Sequence, residues 1–159
     1  GVLINAQLTW HDHISELCKK ASRRLRILRV LKPHVTSQEL HTVYVATVLS
    51  IFDYACPLFV GLESGLAQRL QKIDRRAHRI IFGMHARSCD CTENTVQNRR
   101  ELLSRKLFCS LRTSEDNPLV KCLPPKLPRS GKLSNFYCRT ERRRRSFFPY
   151  TTWLENNTT

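Results

Sequence analysis

Carboxylates are scarce in this chain: 13 Asp and Glu stand against 27 Lys and Arg, a formal net charge of +14. They are also dispersed. Asp12, Glu16, Glu39, Asp53 and Glu63 are spread along the chain, and no adjacent aspartates are present to hold two metal ions. Glycine occurs only five times, and none of the five builds a phosphate-cradling loop; G-x-S-x-G and H-E-x-x-H are missing as well. These gaps leave catalysis without a constellation, and no catalytic residue is assigned. Asp53, inside an apolar run, reads as a hydrogen-bonded structural carboxylate. His11 and His13 flank Asp12 at a helix start and read as capping residues.

No C-x-x-C pair occurs among the seven cysteines. Their odd number, with no leading signal peptide, implies free thiols and a reducing compartment, nuclear or cytoplasmic and not secreted. His85, Cys89 and Cys91 lie close together, with His78, Cys109, Cys122 and Cys138 elsewhere. A C-x-C pair with one histidine is not a four-ligand pattern, so neither a metal site nor a cofactor is expected. Cys18 and Cys56 read as small core residues. The longest apolar stretch, residues 43–62, contains Thr47, Ser50, Asp53 and Pro57. Its apolar positions recur at helical steps, which favours a buried helix over a membrane span.

What remains is abundant basic charge on helical patterns. Residues 9–31 place Trp10, Ile14, Leu17, Cys18, Ala21, Leu25, Leu28 and Leu31 on one face and Lys19, Lys20, Arg23, Arg24, Arg26 and Arg29 on the other. Steps of three and four residues are those of an amphipathic helix. Thr9 followed by Asp12 suggests a capping box, and Pro33 a stop. Thr36 and Glu39 form a second capping box opening a helix that carries Leu40, Val43, Tyr44, Val48 and Ile51 and that Pro57 should end or kink near Tyr54 to Ala55. A third helix is predicted from Ser64, with Leu66, Leu70, Ile73, Ala77, Ile80 and Ile81 apolar, and Gly83 just past its end. Residues 84–94 read as a loop, and residues 95–111 as a fourth helix.

With 159 residues and 41% hydrophobic content, one domain and a tail are expected. The predicted fold is all-α. Residues 1–8 form a short extended segment, residues 9–111 an antiparallel three-helix bundle plus the fourth helix, and residues 112–159 an irregular or disordered tail, Pro-rich and basic.

The excess charge favours a polyanionic partner, nucleic acid first. Lys19, Lys20, Arg23, Arg24 and Arg26 can meet successive phosphates, and Arg75, Arg76 and Arg79 supply a second patch if turned the same way. Arg142, Arg143, Arg144 and Arg145 form a run that suits nucleic-acid contact or nuclear import, and Phe147, Phe148 and Tyr150 after them suit base stacking. The alternative is that these cations merely solubilise helices.

The blocks GVLINAQLTWHDHI, KKASRRLRIL, LHTVYVATVLSIFDYACPLF and LQKIDRRAHRIIFG, in that order, resemble the segment after the polymerase palm in reverse transcriptases of non-LTR (LINE-type) retrotransposons. NRRELLSRKLF, KCLPPKLP and RTERRRRSFFPY resemble the same family's C-terminal end. The resemblance implies a thumb that grips an RNA–DNA or RNA template–primer through backbone phosphates and packs on a palm domain. GVLIN would be a remnant of the palm edge. The family's catalytic aspartates would lie upstream of Gly1, so this polypeptide is expected to be a non-catalytic fragment, with divalent metal needed only by the missing palm. Two alternatives stay open: a helical protein-interaction module using apolar surface at residues 58–62 or on the second helix, and an inert element remnant.

Overall fold

A computed structural model describes residues 1–7, 9–83, 95–114 and 117–157. The fold is all-α, as predicted. Regular structure among these residues is helical, apart from one isolated antiparallel bridge between Lys126 and Leu133. The α-helices are α1 (His11–Leu31), α2 (Ser37–Tyr44), α3 (Ser50–Asp53), α4 (Ser64–Phe82), α5 (Val96–Thr113), α6 (Glu141–Arg144) and α7 (Phe147–Asn157). Short 3₁₀ turns cover Cys56–Phe59 and Pro118–Cys122. The expected loop at residues 84–94, with His85, Cys89 and Cys91, lies outside the described residues.

Two compact units emerge: residues 1–55 with 63–99, and residues 56–62 with 100–159, so the division falls inside α5. In the first unit, α1 packs on α4, on α2 and on α3. Ile14, Leu17, Ala21, Leu25 and Leu28 of α1 are buried, as are Leu66, Leu70, Ile73, Ala77 and Ile81 of α4. They belong to the stripes that the helical period picks out, because only apolar side chains gain by leaving water; Trp10, Cys18, Leu31 and Ile80 of the same stripes are half-buried. The Thr36–Glu39 capping box is present with both of its reciprocal bonds. Gly83 closes α4 at φ 77°, a backbone region that glycine alone enters without steric cost.

Three local expectations are corrected. Thr9 and Asp12 form no capping box: Asn5 Nδ2 donates to Thr9 Oγ1 at 2.6 Å and to Asp12 Oδ2 at 3.1 Å, and helix α1 starts at His11 without a side-chain cap. The competing amide of Asn5 has taken both oxygens. The second helix is not uniformly α. Val45–Leu49 is wound as a π-helix where hydroxyls compete for helix carbonyls: Thr47 Oγ1 donates to Val43 O, and Ser50 Oγ to Ala46 O, both at 2.7 Å.

The third correction concerns residues 112–159, which are not wholly irregular. Helix α7 buries Thr151, Thr152 and Leu154. Its partners lie on the α5 residues of the same unit: Tyr150 Oη donates to Glu101 at 3.0 Å, Arg105 pairs with Glu155 at 2.7 Å, and the Phe147 ring meets Phe108 edge-on. Asn156 clamps Leu133, accepting its N–H and donating to its carbonyl, each at 3.0 Å. The arginine run is anchored too. A Cβ on Gly61 would stand 2.5 Å from Arg145 O, so glycine permits the two backbones to touch. The compact second unit therefore begins its α5 portion at Arg100 and includes residues 112–157, where a bundle ending at residue 111 and a loose tail were expected.

Candidate nucleic-acid interface

Helix α1 presents Lys19, Lys20, Arg23, Arg24, Arg26 and Arg29 to solvent, all exposed. Lys19, Arg23 and Arg26 follow one another at steps of four and three, so they line the side opposite the buried stripe. From Lys19 to Arg26 the helix advances about 10 Å, matching about three phosphates of one strand at 3.4 Å each along a duplex axis. One carboxylate opposes them: Glu16 lies 3.8 Å from Lys19. Among the described residues no ion pair engages Lys20, Arg23, Arg24 or Arg26.

Arg24 is placed differently from its neighbours. Its Nη1 donates to Thr47 O at 2.7 Å, inside the π-wound segment. The i→i+5 winding shifts the backbone register, and Arg24 satisfies a carbonyl there, which makes it an anchor of the fold as well as a surface cation. Lys20 and Arg24 also line a shallow cleft of about 260 Å³ with Ser50 and Tyr54.

On α4, Arg75, Arg76 and Arg79 are exposed and without ion pairs among the described residues. They are not all turned alike. Arg75 and Arg79 lie nearly opposite the buried stripe of α4, whereas Arg76 sits roughly a quarter turn from it, on the same flank as Arg69. Arg69 Nη2 donates to Ser15 Oγ at 3.0 Å. Ser15 precedes Lys19 by four residues and so heads the Lys19–Arg23 row. Arg69 thus joins the cationic flank of α4 to the outer face of α1. The sequence marks Arg69 only as a solvent-side residue; the bond to Ser15 depends on how the helices pack, which local spacing does not encode.

The second unit has its own basic cluster. Arg142, Arg143 and Arg144 are exposed, while Arg144 and Arg145 both bond to Glu141, at 2.9 and 3.1 Å. Glu141 is thereby spent on two members of the run. Thr140 caps the short helix α6, accepting from Arg143 N–H at 3.3 Å.

The first unit also holds a buried polar network that local spacing does not reveal. Asp74, 5% exposed on the apolar side of α4, accepts from Tyr44 Oη through Oδ1 and from Gln71 Nε2 through Oδ2 at 3.3 Å. His78 Nδ1 lies 3.4 Å from the same Oδ1. The Asp74 hydrogen bond holds the His78 imidazole above its ordinary pKa, and burial, reinforced by Asp74, pushes the Tyr44 phenol far up. With both oxygens of Asp74 engaged inside the core, the network locks α2 to α4. The available signal was the placing of Asp74 and His78, one helical turn apart beside the apolar stripe. Asp53 is the structural carboxylate expected: Arg99 grips it with two nitrogens, each at 2.8 Å.

Among the described residues no three His, Cys, Asp or Glu side chains gather as a metal site, and no helix is long and apolar enough to cross a membrane. At residues 58–62, Phe59 and Val60 are buried, Leu62 is half-buried and Leu58 is exposed. No family model, curated protein or solved structure matches the chain.

Proposed function

We propose that this chain is a non-catalytic portion of a non-LTR retrotransposon reverse transcriptase, an RNA-directed DNA polymerase, and that its first unit grips template–primer duplex through backbone phosphates. The observation that carries this reading is the row Lys19–Arg23–Arg26, solvent-facing, almost free of carboxylates among the described residues, and tied at Ser15 to Arg69 of α4. A solvated helix face would mix acids with bases; this one presents fixed positive charge at phosphate spacing. Contacts to phosphates position a duplex without reading its sequence, as a polymerase requires. Catalysis and divalent metal belong, in this reading, to a palm domain, and no residue here is assigned to either.

The test is fluorescence anisotropy on a short RNA–DNA duplex. With about four phosphates neutralised, affinity is expected to fall about a hundredfold between about 50 and 200 mM salt. Arg23→Glu with Arg26→Glu should weaken binding equally for unrelated sequences and flatten the salt dependence. This pair is preferred to Arg24, whose loss would also free a π-helix carbonyl. Affinity indifferent to salt and to both substitutions would refute the proposal.

A further inference from the structure

We propose that a cleft in the second unit takes an unpaired nucleotide from single-stranded RNA or DNA. The cleft measures about 500 Å³, and its lining includes Lys121, Asn135, Phe136, Arg143, Ser146 and Phe148, together with three prolines. That volume falls within the range of about 300–1,000 Å³ usual for small-ligand pockets.

Charge and chemistry select the occupant. Lys121 and Arg143 are exposed, and neither has an ion pair among the described residues. None of the lining residues is a carboxylate. Arg143 keeps its charge available because Glu141, the nearest acid in sequence, is occupied by Arg144 and Arg145. The ligand must therefore be anionic. Phe136 and Phe148 are only half-buried, so aromatic surface is offered beside the cations. A nucleotide carries a phosphate and a π-face in one molecule, and base–aromatic stacking tolerates any base. A duplex hides its π-faces within the stack, so the cleft discriminates for single strands.

The frame around the cleft is fixed in advance, which lowers the entropic cost of binding. Asn117 caps the turn that carries Lys121, accepting from Leu119 N–H at 2.9 Å. Thr140 caps the turn that carries Arg143. Pro124, Pro125 and Pro149 restrict the backbone of the walls.

The inference shares only its class of partner with the duplex proposal and uses none of the same residues, so the two fail separately. The experiment measures anisotropy of the full chain with a fluorescent oligouridine dodecamer, and in parallel with an abasic strand of equal length and the RNA–DNA duplex. Phe148→Leu is expected to weaken the dodecamer about tenfold, the effect of losing one stacked base, with abasic and duplex binding unchanged. Lys121→Gln with Arg143→Gln should reduce the salt slope for the dodecamer by about 1.4, about 0.7 for each phosphate no longer neutralised. Should Phe148→Leu disturb folding, Phe136→Leu and the cation pair carry the test, both being changes at solvent-accessible side chains. A dodecamer that does not bind, an affinity untouched by these substitutions, or an equal loss with the abasic strand would overturn the proposal. Loss of duplex binding on changing Arg23 and Arg26, with the dodecamer unaffected, would leave it standing.

Discussion

The two units use arginine in opposite ways. In the first, the cations of α1 and α4 ride outside an apolar core, and Arg99, Arg24 and Arg69 are bound into the structure, through Asp53, Thr47 O and Ser15 Oγ. In the second, several arginines are building material. Arg100 is 4% exposed and donates to Val60 O at 3.1 Å; Arg105 pairs with Glu155; Arg144 and Arg145 share Glu141; and the Arg145 backbone rests on Gly61. A guanidinium serves both purposes because its long apolar stem can be buried while its donors reach a carbonyl or carboxylate. Net charge alone therefore says little about how much positive surface a region offers: the cations that face solvent without partners are the ones open to a polyanion.

If the comparison holds, substituting a partnered arginine of the second unit should cost stability, whereas substituting Arg23 or Arg26 on α1 should cost binding alone. The largest effect is expected at Arg100. Burial depresses its guanidinium pKa, yet the hydrogen bond to Val60 O keeps it in place. Arg100→Ala removes the buried stem and strands that carbonyl, at about 3 kcal/mol in denaturant unfolding. Arg26→Ala, exposed and without an ion pair, should change unfolding by less than about 0.5 kcal/mol. Equal costs at the two positions would erase the distinction. Gly61→Ala comes next. The new methyl meets the Arg145 backbone, which a side-chain rotation cannot relieve, and a cost of about 2 kcal/mol is expected from overpacking. Urea titration followed by tryptophan fluorescence would read it, since Trp153 lies on α7. A neutral substitution would mean that the arginine run is held by something other than this backbone approach.

How far the fold was legible divides along the same line. The helical period locates α1, α4 and α5 nearly to the residue, because their stripes are local and regular. The Thr36–Glu39 cap and Gly83 follow from short-range chemistry. Residues 118–157 defeat the same method. Their order comes from partners far away in sequence, such as Asn156 for Leu133, Glu101 for Tyr150 and Gly61 for Arg145, while prolines and a short basic run suggest disorder when read alone. The π-winding was hidden for a related reason, since it depends on which hydroxyls and which arginine claim the carbonyls near Thr47. The candidate site is half legible. Residue types and helix faces could be read, but neither the Arg69 bridge nor the Lys121 and Phe136 side of the cleft follows from spacing.

The smallest predicted effect lies in the first unit, where buried His13 and half-buried His78 should bend its pH dependence in opposite senses. His78 is held above its ordinary pKa by Asp74, through the hydrogen bond and the charge, against the pull of burial; His41 and Tyr44 are the other titratable groups beside its ring. A histidine whose folded pKa exceeds its unfolded value stabilises fully below about pH 6.5 and loses that contribution as pH rises through the folded pKa. His13 is the reverse. Desolvation, with Lys20 adding to it, depresses its pKa, so stability falls as pH drops from about 6.5 through the folded value. The wild-type melting temperature should thus decline on both sides of a shallow optimum near the ordinary histidine pKa. His78→Asn should remove the decline on the alkaline side alone, because Asp74 then loses its charged partner while His13 continues to titrate. Thermal melts from pH 5 to 8 would measure it, and an alkaline limb that survives His78→Asn would show that Asp74 serves α2–α4 packing without selecting the protonated imidazole.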